Sequence, residues 1–286
     1  MSDQPTSTIC PSCGSLVGIK DEKCYVCGRP QPGLFGLTPV LRGLGGDLGF
    51  LQIVFGGCGL LYLASLALTA RLTPEALQGG GGALGFLAPS TPALFLLGAS
   101  GAVPVYEMGR WWTVLSACWL HGGLLHIAFN MMSARNLIPA MAEIYGPGRT
   151  VLLWTIGGIS GFVASSTAGA FFPNIPFLHG AGFTIGASAS IFGFIGALLH
   201  YGNRMSSTIR TQALNWAVSG LVMGFVFQGI DNWAHIGGFI GGYLASSWLN
   251  PLLPERGDHV VAAAVCLVLS LASVAASVLT GLKYLG

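Results

Sequence analysis

Two short strings in the most apolar part of the chain carry side chains able to do chemistry: Gly186-Ala187-Ser188-Ala189 and Ala234-His235-Ile236-Gly237-Gly238. Each puts Ser188 or His235 at the start of a segment apolar enough to lie in a membrane, where ionisable groups are costly and rarely idle. A serine hydroxyl beside an imidazole is the smallest set for nucleophilic acyl transfer, the ring taking the proton as the oxygen attacks a carbonyl. Read singly, each has a plainer meaning. Ser188 alone is a packing residue, since Ala189, Gly193 and Ala197 recur every fourth residue as one smooth face, and His235 alone is a structural hydrogen-bonder. Gly238 and Gly242, also four apart, give the second segment a matching flat face. Two such faces let helices approach closely, with Ser188 and His235 near the same end of the seam, as a serine–imidazole hydrogen bond requires.

A second polar set, His121, His126 and Asn130, interrupts an otherwise apolar stretch (Leu124, Leu125, Ile127, Ala128, Phe129). His126 and Asn130 are one helical turn apart and share a face. A tetrahedral intermediate needs donors for its developing oxyanion, and these two side chains with the Ser188 backbone N–H are candidates. The plainer reading is an interhelical polar clamp. His121 reads as structural, bonding loop backbone near the interface. Asp231, four residues before His235, invites a third catalytic member, but a carboxylate at the start of a span has a helix-dipole explanation.

Composition sets the stage for these groups. Of 286 residues, 8% are charged and 52% hydrophobic, with a mean hydropathy of +0.69. A soluble core of this size would need more charged surface, so most of the chain belongs in lipid. No Asp, Glu, Lys or Arg occurs in 150–203, 211–230, 232–254 or 260–282. Seven spans are expected at 49–70, 113–134, 150–171, 186–203, 211–229, 232–250 and 260–281, each near the roughly 20 apolar residues that cross about 30 Å of hydrocarbon. The first forty residues are polar or turn-rich, so no cleavable signal peptide is expected there. The long first loop, 71–112, holds Gly79-Gly80-Gly81-Gly82 and ends in the interfacial pair Trp111-Trp112. With the N-terminus inside, nine Lys/Arg fall on the cytosolic side and three (Arg71, Arg110, Lys283) outside. The positive-inside rule then favours a cytosolic N-terminus and an outer C-terminus, with Ser188 and His235 near the outer face.

Residues 1–32 are different material. Cys10-Pro11-Ser12-Cys13-Gly14 and Cys24-Tyr25-Val26-Cys27-Gly28 are two CxxC knuckles whose four thiolates can close a tetrahedral zinc site, the glycine after each pair permitting the tight turn. Two redox pairs or a disulfide staple are the alternatives; paired knuckles with this spacing favour structural zinc. The module resembles a rubredoxin-like zinc ribbon, and reduced thiolates place it in the cytosol. It carries too few basic residues for nucleic acid. Residues 33–48, rich in Gly and Pro, read as a linker, which leaves 49–286 as the membrane domain.

The set His121…His126-xxx-Asn130, Gly-x-Ser-x at 186–189 and Ala-His-xx-Gly-xxx-Gly at 234–242 closely resembles the rhomboid intramembrane serine proteases, over residues 49 to about 250. The resemblance implies an all-α polytopic membrane protein with a six-helix core plus one C-terminal span. It makes Ser188 the nucleophile, His235 the general base, and His126 and Asn130 oxyanion-hole residues. Gly186 lets backbone come close at the nucleophile turn, Phe192 packs against the catalytic histidine, and Gly238 and Gly242 support the seam. Two positions depart from the family: Ala189 follows the serine where Gly is frequent, and the Trp-Arg pair of the first loop is replaced by Trp112-Thr113 with Arg110 preceding Trp111.

The implied reaction is hydrolysis of peptide bonds in or near transmembrane segments of other proteins. It needs no catalytic cofactor, and its partners are transmembrane substrates and the bilayer. The loop at 172–185 and the fifth span are the family's candidate substrate gate. The expected location is a prokaryotic inner membrane, and the ribbon's cytosolic partner is unknown. The alternative is a catalytically inactive rhomboid-like factor that binds or escorts membrane proteins, although such a factor would normally lose Ser or His.

Overall fold

The computed structural model describes residues 7–10, 12–33, 46–77, 86–172, 180–227 and 229–284. Most of the linker at 33–48, Gly79–Gly82 and the centre of the 172–185 loop lie outside the described residues. Near the N-terminus, β1 (Ser7–Ile9) and β2 (Leu16–Gly18) pair antiparallel, Thr8 opposite Val17. All further regular structure among the described residues is helical.

Helix α1 (Phe50–Leu72) starts where the Asp47 carboxylate accepts from the Leu51 N–H at 2.9 Å and the Gly49 N–H at 3.2 Å. Its buried residues, Phe50, Val54, Cys58, Tyr62, Ser65 and Thr69, recur at three or four and form one stripe. The other faces expose Leu60 and Leu63, as lipid contact requires. After the short α2 (Thr91–Leu97), α3 (Thr113–Ser116) runs into a 3-10 turn at Ala117–Trp119. The main bundle follows: α4 (Leu124–Tyr145), α5 (Pro147–Phe171), α6 (Ser188–Met205), α7 (Ser207–Val226), α8 (Asn232–Trp248) and α9 (Gly257–Gly281).

The second expected span, 113–134, is not one helix. The chain breaks at 120–123 and α3 meets α4 at 92°. Leu120 is extended, and Gly122-Gly123 interrupts the helical ladder. The helix that carries His126 and Asn130 therefore runs on to Tyr145, and His121 lies in the break. Taken alone among the described residues, α1, α5 and α9 are long and apolar enough to cross a membrane, and the bent pair α3–α4 passes the same test of length and composition only if its two arms count as one span. Helices α6 and α8 are richer in Gly, Ser and His because their surroundings are protein: twelve residues of α6 are buried, from Ala189 through Gly202. The result is a polytopic helical membrane protein with α6 at its centre.

Small residues set the packing distance. A Cβ on Gly193 of α6 would lie 2.7 Å from the Gly157 Cα of α5, and one on Gly242 of α8 would strike the Gly193 carbonyl. Lipid tails offer helices no hydrophobic reason to associate, so close backbone contact of this kind supplies the attraction.

Candidate active site

Ser188 is the first residue of α6, and its N–H, like every first-turn amide, has no intrahelical partner. The turn before it depends on Gly186, whose φ of +128° favours glycine. A Cβ there would come within 2.8 Å of His126 Nε2 and 3.6 Å of Ser188 Oγ, so the three groups surround one small space. The Gly186 N–H donates to the Ala117 carbonyl at 2.9 Å, fixing this turn against the 3-10 segment.

His235 lies in the first turn of α8. One turn further on, Gly238 packs on the Ala189 peptide, with 3.0 Å from its missing Cβ position to the Ala189 carbonyl carbon. The two helices thus touch backbone to backbone one residue past Ser188. The Phe192 ring, one turn after Ser188, stacks on the His235 ring with centroids 4.0 Å apart and planes 8° from parallel. The tip of the Phe192 ring points at Gly220 of α7, where a Cβ would collide with Cζ. Among the described residues no hydrogen bond joins Ser188 Oγ to the imidazole, and His235 Nδ1 is buried without a partner. Catalytic hydrogen bonds commonly tighten only when substrate binds.

His126 Nδ1 accepts the Gly122 N–H at 3.2 Å. In a neutral ring that assigns the proton to Nε2, which makes the nitrogen nearest Gly186 a donor. Asn130 is buried, and its Nδ2 donates to the His126 carbonyl at 2.9 Å, leaving the second N–H of the amide available. The His121 ring is fully buried beside the Trp119 backbone, with which it interacts although neither nitrogen reaches full hydrogen-bond geometry among the described residues, and His126 stands edge-on to it at 5.1 Å. The break at 120–123 turns it inward.

Asp231 does not complete a triad. It caps α8, Oδ1 accepting the Ala234 N–H at 3.1 Å, while Oδ2 accepts the hydroxyls of Ser165 and, at 2.6 Å, Thr184. Sequence spacing gave no sign of Ser165 or Thr184, which lie 66 and 47 residues away along the chain.

The family model of the Rhomboid domain matches residues 108–251, just over half of the chain. This chain belongs to the rhomboid family. The match is narrower at its N-terminal side than the motif resemblance, leaving out α1 and most of the first loop, and α9 lies beyond it. Among curated relatives, the rhomboid protease GluP of Bacillus subtilis (strain 168) is 37% identical over 153 residues, covering 52% of this chain and 28% of GluP. The putative rhomboid protease YdcA of the same organism is 31% identical over 146 residues, covering 48% of this chain and 67% of YdcA. The inactive RHOMBOID-like protein 8 of Arabidopsis thaliana is 33% identical over 160 residues, 54% of this chain and 42% of that one. This rhomboid thus spans well under two thirds of the length of GluP.

Outside the matched region of this rhomboid, the four knuckle cysteines converge. Their sulfurs all lie within 4.8 Å of one another, with 3.8 Å from Cys10 to Cys27 and 3.6 Å from Cys13 to Cys24. Tetrahedral zinc with bonds of about 2.3 Å spaces its sulfurs about 3.8 Å apart, so the cluster fits such an ion, and no disulfide competes for the thiols. The two knuckles are built alike: Gly14 and Gly28 adopt φ of +73° and +71° and donate to the carbonyls of Cys10 and Cys24. Hydrogen bonding with the Ser15 side chain and backbone pulls the Cys13 thiol down to about 6.

The first loop of this rhomboid is anchored despite Thr113 standing in the family's arginine position. Arg110 is buried, donates to the Ser277 carbonyl at 2.7 Å and the Phe95 carbonyl at 3.2 Å, and covers the Phe95 ring at 4.1 Å. Trp112 Nε1 donates to Ser277 Oγ at 3.1 Å. Arg110 stands three positions before Thr113, and its acceptors come from α9 (Ser277) and α2 (Phe95).

Proposed function

We propose that this rhomboid is an intramembrane serine endopeptidase that hydrolyses peptide bonds in or next to transmembrane segments. The observation that carries the reading is the junction of α6 and α8. Ser188 and His235 sit in the first turns of two helices in backbone contact, and a stacked Phe192 holds the ring. His235 takes the Ser188 proton, the oxygen attacks the scissile carbonyl, and an acyl-enzyme forms that water resolves. The oxyanion lies between the Ser188 N–H, His126 Nε2–H and the free Asn130 N–H. A helical substrate shelters its carbonyls, so it must unwind locally before attack.

Two catalytic residues retained together argue against an inactive escort. The site opens to the outer aqueous side, the N-terminus is cytosolic, and the membrane is a prokaryotic inner membrane. Cys10, Cys13, Cys24 and Cys27 hold zinc, whose closed coordination leaves it a structural role alone. The test of the dyad is labelling by a fluorophosphonate. The adduct is expected on Ser188 by mass spectrometry and is expected to be lost in His235→Ala. An unlabelled protein that is folded in detergent would contradict the reading.

A further inference from the structure

We propose that Asp231 is a positioning residue that, through Thr184, sets the Ser188 side of the site against the His235 side. The proposal rests on the dyad reading above and gives that dyad a carboxylate that never touches the imidazole. Two chain segments must be held in register, and each has its anchor four residues upstream of the reactive side chain. On the base side, the Asp231 carbonyl accepts the His235 N–H at 3.1 Å, and its Oδ1 accepts the Ala234 N–H at 3.1 Å. On the nucleophile side, Thr184 lies four residues before Ser188. Its backbone is pinned by a two-way bridge to Ser100, donating at 2.8 Å and accepting at 3.0 Å.

Among the described residues the direct link between the two anchors is the 2.6 Å bond from Thr184 Oγ1 to Asp231 Oδ2; the Ser165 hydroxyl of α5 donates to the same oxygen and accepts the Ala181 N–H at 3.4 Å. Thr184 and Ser165 are buried, so water does not compete for that oxygen from their side. A carboxylate is suited to the task because it accepts only, and here it takes two hydroxyls and one N–H without offering a donor. A cap alone would need only Oδ1. The second oxygen, with its two hydroxyl partners from two other elements, is what a cap leaves unexplained. The unpartnered Nδ1 of His235 separates this arrangement from a triad, in which the carboxylate would orient the ring.

Thr184→Val keeps shape, β-branching and the backbone bridge but removes the tie, leaving the α8 cap in place. A small misplacement of a nucleophile against its base costs up to about 100-fold in rate. For the full-length protein in detergent, Thr184→Val should lower both kcat on a single-span substrate and the fluorophosphonate labelling rate of Ser188 by on the order of 10- to 100-fold, with KM unchanged. Thr184→Ser, which restores the hydroxyl, should recover most of the loss. The double variant Asp231→Ala/Thr184→Val should be no slower than Asp231→Ala alone, because the link is already gone once the carboxylate is removed. Should Thr184→Val not fold, Thr184→Ala makes the same comparison by removing the same hydroxyl from that oxygen. Unchanged labelling and kcat in Thr184→Val, losses that multiply in the double variant, or lowered thermal stability with kcat intact would each overturn the positioning role. Wild-type protein that neither labels nor cleaves would instead overturn the dyad reading beneath it.

Discussion

The rings of Phe192 and His235 lie nearly parallel, 4.0 Å apart, with the tip of Phe192 against Gly220 of α7. Among the described residues no carboxylate bonds the buried Nδ1 of that histidine. Its orientation therefore comes from stacking and from the helix that carries it, not from a hydrogen-bonded third member.

Removing the stacked ring should disorient the base. Phe192→Ala is expected to lower kcat on the order of 10-fold with a smaller effect on KM. Steady-state kinetics on a single-span substrate decide this. Full kcat in Phe192→Ala would show that the ring only fills space.

His126→Ala or Asn130→Ala should lower turnover on the order of 10- to 1000-fold without comparable loss of substrate binding, as expected of donors that act on the oxyanion. His121→Ala should harm folding at least as much as catalysis, since its buried ring packs on His126. Comparing kcat, KM and thermal midpoint for the three variants separates these roles. A catalytically essential His121 beside a dispensable His126 would reverse the assignments.

The helix expected as an addition to a six-helix core turns out to hold the first loop. Arg110→Ala should lose two charge-assisted hydrogen bonds to backbone carbonyls, each worth about 1.5–3 kcal/mol, and leave those carbonyls buried. We expect a lowered thermal midpoint and faster protease cleavage within 86–112. Arg110→Lys should rescue only part, because a lysine ammonium lacks the fork that reaches both carbonyls. A midpoint unchanged from wild type would remove the anchor from this account.

For the ribbon, metal analysis after purification under reducing conditions should find one zinc per chain, falling on Cys13→Ser/Cys27→Ser substitution. Deleting residues 1–32 should leave hydrolysis by the purified enzyme intact. A folded truncation unable to cleave, or a wild-type protein free of zinc, would contradict a purely structural metal.

Much of the site was legible because its chemistry is written in local strings. Ser188, His235, the small-residue seam and the four cysteines each lie in a short motif whose spacing matches one helical turn or one knuckle, whereas Phe192 was singled out only by the resemblance to the rhomboid proteases. Helix-period reasoning carried His126 and Asn130 to a common face. It failed at 120–123, where apolar composition continues through Leu120 and Leu124 while Gly122-Gly123 lets the backbone turn by 92°. Hydropathy reports the surroundings of a segment, not its continuity. Ties between distant segments were not legible either. Nothing near Thr184 or Ser165 signals Asp231, and nothing near Ser277 signals Arg110, because such partners are chosen by the packed bundle and not by neighbours in the chain.

The central claim is that Ser188 and His235 together cut a peptide bond inside a membrane. The most direct measurement reconstitutes the purified protein with a single-span substrate in liposomes and follows the cleavage products by mass spectrometry. Wild type should release two fragments cut in or beside the span, while Ser188→Ala and His235→Ala, folded and inserted as judged by thermal midpoint and liposome flotation, should release none above background. Cleavage by Ser188→Ala at a rate near wild type, or no cleavage by a folded wild type that also resists fluorophosphonate, would contradict the account.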